Sequence, residues 1–222
     1  VLLQAKAFYH LGKYDQSIAY FEEYKELNPN LSRDQLYQIG IAYHKKGLFG
    51  FAINHLNKII LNADDSLSQY AFYYLGDSYQ NINNKLEAMN AFRSASLIDQ
   101  DSLIQHDAFY QFVILCYEQK SPLYQAKKYL SEFIEKYPQS DHIDEIYSCL
   151  ANIHLNTYDY DNAISILEQS SFLNEEVKYQ YQKICFHKGV QLFNDERYND
   201  AISYFNKSIN GGDKNQLFYE SY

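Results

Sequence analysis

The chain has 222 residues, 46% of them hydrophobic, and a formal net charge of −9 from 19 Lys and Arg against 28 Asp and Glu, a composition that excludes a disordered chain. Only 8 Gly and 3 Pro stand beside 24 Tyr and 14 Phe, so backbone breakers are scarce and long helices are favoured over turn-rich sheets. No apolar run approaches the roughly 18 residues a membrane-spanning helix needs, and no cluster of Lys and Arg supplies the counterion-releasing surface that nucleic-acid binding requires.

The charge is uneven: residues 1–60 carry a net +2, residues 61–160 a net −8 and residues 161–222 a net −3. The acidic middle fits a basic partner better than an acidic one. Cys116, Cys149 and Cys185 are far apart and form no C-x-x-C pair, so they read as small apolar core residues and not as a disulfide framework or zinc site. The chain opens at Val1, and Leu217 to Tyr222 is an unfinished apolar pattern, so the sequence is expected to be a piece of a longer protein.

A small residue recurs as Ser17, Ala52, Ala88, Ala126, Ala163 and Ala201, followed four positions later by Phe21, Leu56, Phe92, Leu130, Leu167 and Phe205. Twelve positions before each stands Ala5, Gly40, Gly76, Ile114, Ala151 or Gly189. The spacing of twelve is constant, while the distance between copies runs from 35 to 38 residues. A rigid unit with a tolerant joint is the signature of a repeat array.

In chain order, the first copy predicts a helix hairpin over 1–31, with Tyr14 opening its second helix and Pro29 beyond its end. In the second, over 32–66, Ser32-x-x-Gln35 predicts a capping box. Leu36, Ile39, Gly40 and Tyr43 share one helical stripe, Phe49, Ala52, Ile53, Leu56 and Ile59 another. Gly40 against Ala52 is the expected close contact between them. The third copy spans 67–103; Asp64 and Asp65 before it, and Asp99-x-Asp101 at its end, are joint acids that favour the N-terminus of a following helix. In the fourth, over 104–141, Ile114 replaces a small residue, and Ser121 and Pro122 predict the N-cap and first residue of a more splayed hairpin. In the fifth, over 142–177, His154 replaces an aromatic residue and Tyr160 opens the second helix. In the sixth, over 178–213, Tyr198 plays that role, and Asn210-Gly211-Gly212-Asp213 predicts a helix C-cap and turn, not a nucleotide cradle. Residues 214–222 begin the first helix of another pair.

Leu75-Gly76-x-x-Tyr79 with Ala88-x-x-x-Phe92, and Ile39-Gly40-x-x-Tyr43 with Gly47 and Ala52, resemble the tetratricopeptide repeat, in copies running from Val1 to about Asp213. The resemblance implies an all-α fold, a right-handed α-α superhelix of about six helix-turn-helix repeats plus the start of a seventh. It also implies that first helices line a concave groove for a peptide or helix. The groove-facing positions are then Lys6 and Tyr9; Tyr37, Ile41 and His44; Tyr70, Tyr73 and Asp77; Gln111, Leu115 and Glu118. Glu145, Ser148, Asn152 and Leu155 follow, then Lys183, Phe186, Val190 and Phe193. The expected partner-binding set is Tyr9, Tyr37, Ile41, His44, Tyr70, Tyr73, Asp77, Gln111 and Leu115. For Tyr9, Tyr37, Tyr70 and Tyr73, ligand contact competes with lateral packing between neighbouring repeats. Phe186, Val190 and Phe193 are expected to meet a following repeat or a partner domain.

The family's carboxylate clamp for chaperone tails is not matched: its sites hold Leu2, Lys6, Ile41, Tyr70 and Tyr74, of which only Lys6 is basic. No catalytic or phosphate-loop motif is present, and His44 and His55, on different helices of one hairpin, do not make a metal site. The expected function is a non-enzymatic protein-interaction scaffold with a protein or peptide partner. No cofactor, metal, nucleic acid or membrane span is expected, and the terminal repeats are available for self-association. The alternative is a structural spacer with an empty groove. The lengthened joints resemble those of extracytoplasmic bacterial repeat proteins, which implies a periplasmic or cell-envelope location, with the cytoplasm as the alternative.

Overall fold

The computed structural model describes residues 1–60, 65–119, 123–170 and 175–211. Among them lie twelve helices and no strand: α1 (Leu2–His10), α2 (Tyr14–Leu27), α3 (Arg33–Lys45), α4 (Phe49–Leu56), α5 (Ser66–Asn81), α6 (Lys85–Leu97), α7 (Ser102–Glu118), α8 (Leu123–Lys136), α9 (Ile143–Asn156), α10 (Tyr160–Leu167), α11 (Glu175–Asn194) and α12 (Tyr198–Asn210). The expected Ser121 cap, the splay of the fourth hairpin, Asp64, and the start of a further helix after residue 213 lie outside the described residues.

The chain divides into two compact units, Val1–Gln119 and Lys120–Tyr222. In the first, α1, α3 and α5 pack on α2, α4 and α6, each second helix packs on the next first helix, and the first helices α1, α3, α5 and α7 meet in sequence. The result is two layers with one continuous core, in which Ala5, Phe21, Ile39, Leu56, Ile59 and Leu75 are sealed from solvent. In the second unit α8 packs on α9, α9 on α10, α10 on α11 and α11 on α12, while α9 meets α11. Its core holds Ala151, Ala163, Leu167, Val177, Ile184 and Cys185.

The constant spacing of twelve has a backbone cause. Five hairpins turn through a residue with positive φ: Gly12 (69°), Gly47 (72°), Asn83 (59°), Tyr158 (59°) and Glu196 (61°). At each, the next residue's N–H bonds to the carbonyl five residues back: Lys13 to Phe8, Leu48 to Tyr43, Asn84 to Tyr79, Asp159 to His154 and Arg197 to Leu192, all at 2.9 Å. The turn residue's own N–H bonds three residues back, as from Gly47 to His44 at 2.9 Å. This is the Schellman ending of a helix, which fixes both where the first helix stops and where the second begins.

The close contact between layers differs from the expected pairing of Gly40 with Ala52. A Cβ on Gly40 would come within 2.8 Å of Leu56, on Gly76 within 2.7 Å of Phe92 and on Gly189 within 2.6 Å of Phe205. Each glycine makes room for the large side chain four positions beyond the small residue. Where the first helix carries Ala5 instead, the Ser17 hydroxyl donates to its carbonyl at 2.9 Å.

The caps follow the sequence. Ser32 accepts from the Gln35 N–H while the Gln35 side chain accepts from the Ser32 N–H. Asp65 caps α5 through the Ser68 N–H, and Asp101 caps α7 through Leu103 and Ile104. Pro29 and Pro138 stand just past α2 and α8, and Gly211 is the C-cap of α12. His154, in place of an aromatic, is buried and bonds through Nδ1 to Asp159 at 2.7 Å. Tyr198 opens α12 as expected; it is 53% exposed and its ring meets Phe193 of α11 edge-on, with centres 5.4 Å apart.

Candidate partner-binding face

The first-helix layer of the unit Val1–Gln119 carries all nine residues expected to bind a partner. Ile41 and Leu115 are 4% and 1% exposed, so both are core residues and offer nothing to a ligand. Helix α3 lies between α1 and α5, and α7 packs on α5 and α6, so an apolar side chain at these positions is covered. Tyr9 is partly buried, edge-on to Tyr14 with ring centres 6.2 Å apart, and burial pushes its hydroxyl up to about 12. Tyr37 meets Tyr74 edge-on at 6.5 Å, and burial raises its hydroxyl further.

The other tyrosines reach across to the next repeat. The Tyr70 hydroxyl donates to the Asp101 carboxylate, which also accepts the two backbone N–H groups at the start of α7. The Tyr70 bond and those N–H groups hold the Asp101 carboxyl below its usual range. The Tyr73 hydroxyl donates to Asp107 on α7; burial first, then this bond, raises the Tyr73 hydroxyl well above its ordinary value. His44 on α3 bonds through Nε2 to Asp77 on α5. These pairs join neighbouring first helices, so lateral packing between repeats accounts for one side of each ring. Arg33 does the same at the joint, forking onto Asp65 at 2.6 and 3.0 Å and onto the Ser68 hydroxyl at 2.7 Å. The guanidinium holds the Asp65 carboxyl far below the usual carboxylate range.

Tyr73, Asp77 and Gln111 come together around an open recess of about 370 Å³, whose remaining walls are Gln80, Asn81 and Phe92. Asn81 donates to the Asp77 carboxylate at 3.3 Å and to its backbone carbonyl at 2.8 Å. Tyr73 and Phe92 meet edge-on with ring centres 5.8 Å apart, forming an aromatic floor. Tyr9, Tyr37 and Tyr70 line other parts of the layer.

Sequence reasoning misses Gln80, Asn81, Phe92 and Tyr74. Tyr74 is the hub of the ring cluster, touching Tyr37, His44 and Tyr73 with Lys45 over its face at 5.7 Å. A signal exists for three of them: Tyr70, Tyr73, Tyr74 and Asp77 form one i, i+3, i+4, i+7 stripe, and Gln80 and Asn81 are its next members. Phe92 carries no such signal, since it belongs to α6 and reaches the recess only because Gly76 leaves space above its ring.

In the second unit, Ser148 is buried at 8% exposure, while Val190 and Phe193 are 36% and 55% exposed, the latter edge-on to Tyr198. Cys116, Cys149 and Cys185 are buried thiols, and burial pushes those of Cys116 and Cys185 up to about 11 and about 12. Among the described residues no group of three or more His, Cys, Asp or Glu side chains converges on a metal-sized site, and no helix is long and apolar enough to cross a membrane.

Sequence models of the tetratricopeptide repeat match residues 2–31, 70–96 and 107–140. No curated protein matches the chain. Among solved structures, MamA is similar at 21% identity and a TM-score of 0.57, over 74% of this chain and 91% of its own. The C-terminal part of a repeat-containing protein from Cytophaga hutchinsonii is similar at 16% identity and a TM-score of 0.61, over 95% and 79%. YrrB, described as a tetratricopeptide protein with an unusual peptide-binding site, is similar at 17% identity and a TM-score of 0.56, over 90% and 96%. The likeness shows the fold, which in this chain is an all-α solenoid of about six helix hairpins.

Proposed function

We propose, from the tetratricopeptide repeats matched at residues 2–31, 70–96 and 107–140, a type of repeat that generally mediates protein–protein interaction, that the first-helix layer of Val1–Gln119 seats a peptide or helix of a partner protein. The recess formed by Tyr73, Asp77 and Gln111 with Gln80, Asn81 and Phe92 carries the reading. It is concave, has an aromatic floor and presents several convergent polar groups, which is the common make-up of a binding site. The peptide site reported for YrrB, on a solenoid of the same fold, supports it. The role is that of a scaffold, as for the family's typical non-enzymatic members. We further place that scaffold in a bacterial cell-envelope assembly, on the length of its joints; recovery of the native protein in a cytoplasmic fraction overturns that placement.

The test is selection of peptides by display on the intact protein, followed by calorimetry. Changing Gln80 and Gln111 together to Ala removes two recess walls that hold no core position, so a selected peptide should bind roughly tenfold or more weakly while the melting temperature is unchanged. Equal binding by this variant rejects the recess. Failure to select any peptide favours the spacer reading instead.

A further inference from the structure

Helices α5 and α7, of 16 and 17 residues, contain no lysine or arginine. Their acids fall into two kinds. Asp65 is matched by Arg33, and Glu118 by Lys85 at 3.1 Å. Asp101 and Asp107 accept from the hydroxyls of Tyr70 and Tyr73, Asp101 also from backbone N–H groups, and Asp77 from Asn81 and the His44 ring. Hydroxyl, amide and backbone donors orient a carboxylate without cancelling its charge. Among the described residues, carboxylates with no lysine or arginine partner therefore run along α5 and α7, with Asp77, whose side chain is 42% exposed, at the recess.

The recess adds a shape to that charge. Its walls carry the Asp77 carboxylate, whose oxygens also meet Asn81 and His44, and the side-chain amides of Gln80, Asn81 and Gln111, each able to offer a carbonyl oxygen, beside the rings of Tyr73 and Phe92. A planar cation with several N–H donors can bond the carboxylate and amide oxygens along its edge while its face rests on a ring. A lysine ammonium, a compact point charge, satisfies fewer of these groups and gains nothing from planarity. Resting on the reading of this layer as a peptide-binding face, we propose that the partner segment is basic and that the recess takes the guanidinium of an arginine side chain.

The experiment measures fluorescence anisotropy of the full chain with three labelled peptide pools, random except for a central Arg, Lys or Gln. The Arg pool should bind at least tenfold tighter than the Gln pool and several-fold tighter than the Lys pool. Its affinity should fall as salt rises from about 0.05 to about 0.3 M, because exposed charges are screened. Asp77→Asn, which keeps the side-chain shape, should abolish the preference for Arg, while Glu87→Gln, on the exposed surface of α6, should preserve it. Equal binding of the Arg and Gln pools overturns the cationic partner yet leaves the peptide-binding face standing. Equal binding of the Arg and Lys pools overturns the guanidinium. Absence of binding by every pool overturns both the inference and the reading beneath it.

Discussion

His55 shows how a single buried side chain ties this fold to pH. It is 2% exposed, stacked on Tyr43 with ring centres 5.3 Å apart, and its Nδ1 bonds to the Phe51 carbonyl at 2.8 Å. Around it stand Glu22, with an oxygen 3.9 Å from Nε2, and Lys25 and Lys58. Burial is the largest influence and pulls the ring's pKa below its ordinary value. The unfolded chain then takes up a proton at about 6.5 while the folded one does not. This contribution to stability is whole above about 6.5 and is lost as pH falls from there to the lower folded value. Thermal melting should show the wild type losing more stability between about pH 7 and about pH 5 than His55→Gln, which cannot titrate; parallel profiles would contradict the assignment. Nothing in the sequence marks His55 as buried, because the Tyr43 ring and the Glu22 carboxylate beside it come from α3 and α2.

At the scale of elements, the hairpin pattern is legible because its small and large residues repeat with a period that only paired helices satisfy. The turn is less so. Gly12 and Gly47 announce a left-handed residue and Asn83 tolerates it, but Tyr158 and Glu196 occupy the same conformation with side chains that disfavour it. The backbone bonding of the turn outweighs the residue preference there, so composition alone does not show it. The groove is half legible: the stripe on α5 can be read from its spacing, whereas the burial of Ile41 and Leu115 depends on how closely first helices lie side by side. Asp101 joins the two levels, since it caps α7 and holds the Tyr70 hydroxyl of the preceding repeat. Asp101→Ala should cost about 1–2 kcal/mol through the lost cap. Hydrogen exchange should accelerate first at the start of α7; a uniform acceleration along the helix would argue against a capping role.

At the scale of the molecule, among the described residues the helices of each unit pack chiefly on their near neighbours in chain order, and stability is then close to a sum of local terms. Gly76→Leu forces a branched side chain against the Phe92 ring, which already lies within 2.7 Å of where a Cβ would stand, and should cost about 1–3 kcal/mol or more. The loss should appear as faster hydrogen exchange in α5, α6 and the adjoining α4 and α7, with α12 unaffected. Equal acceleration in every helix would mean that the chain unfolds as one body. The three buried thiols give this architecture a chemical clock. Cys116 is 2% exposed and belongs to the first unit, Cys149 and Cys185 are 8% and 0% exposed and belong to the second, and a buried thiol reacts only when its surroundings open. The order in which an alkylating reagent modifies them therefore records, without any engineered probe, which half of the array breathes first.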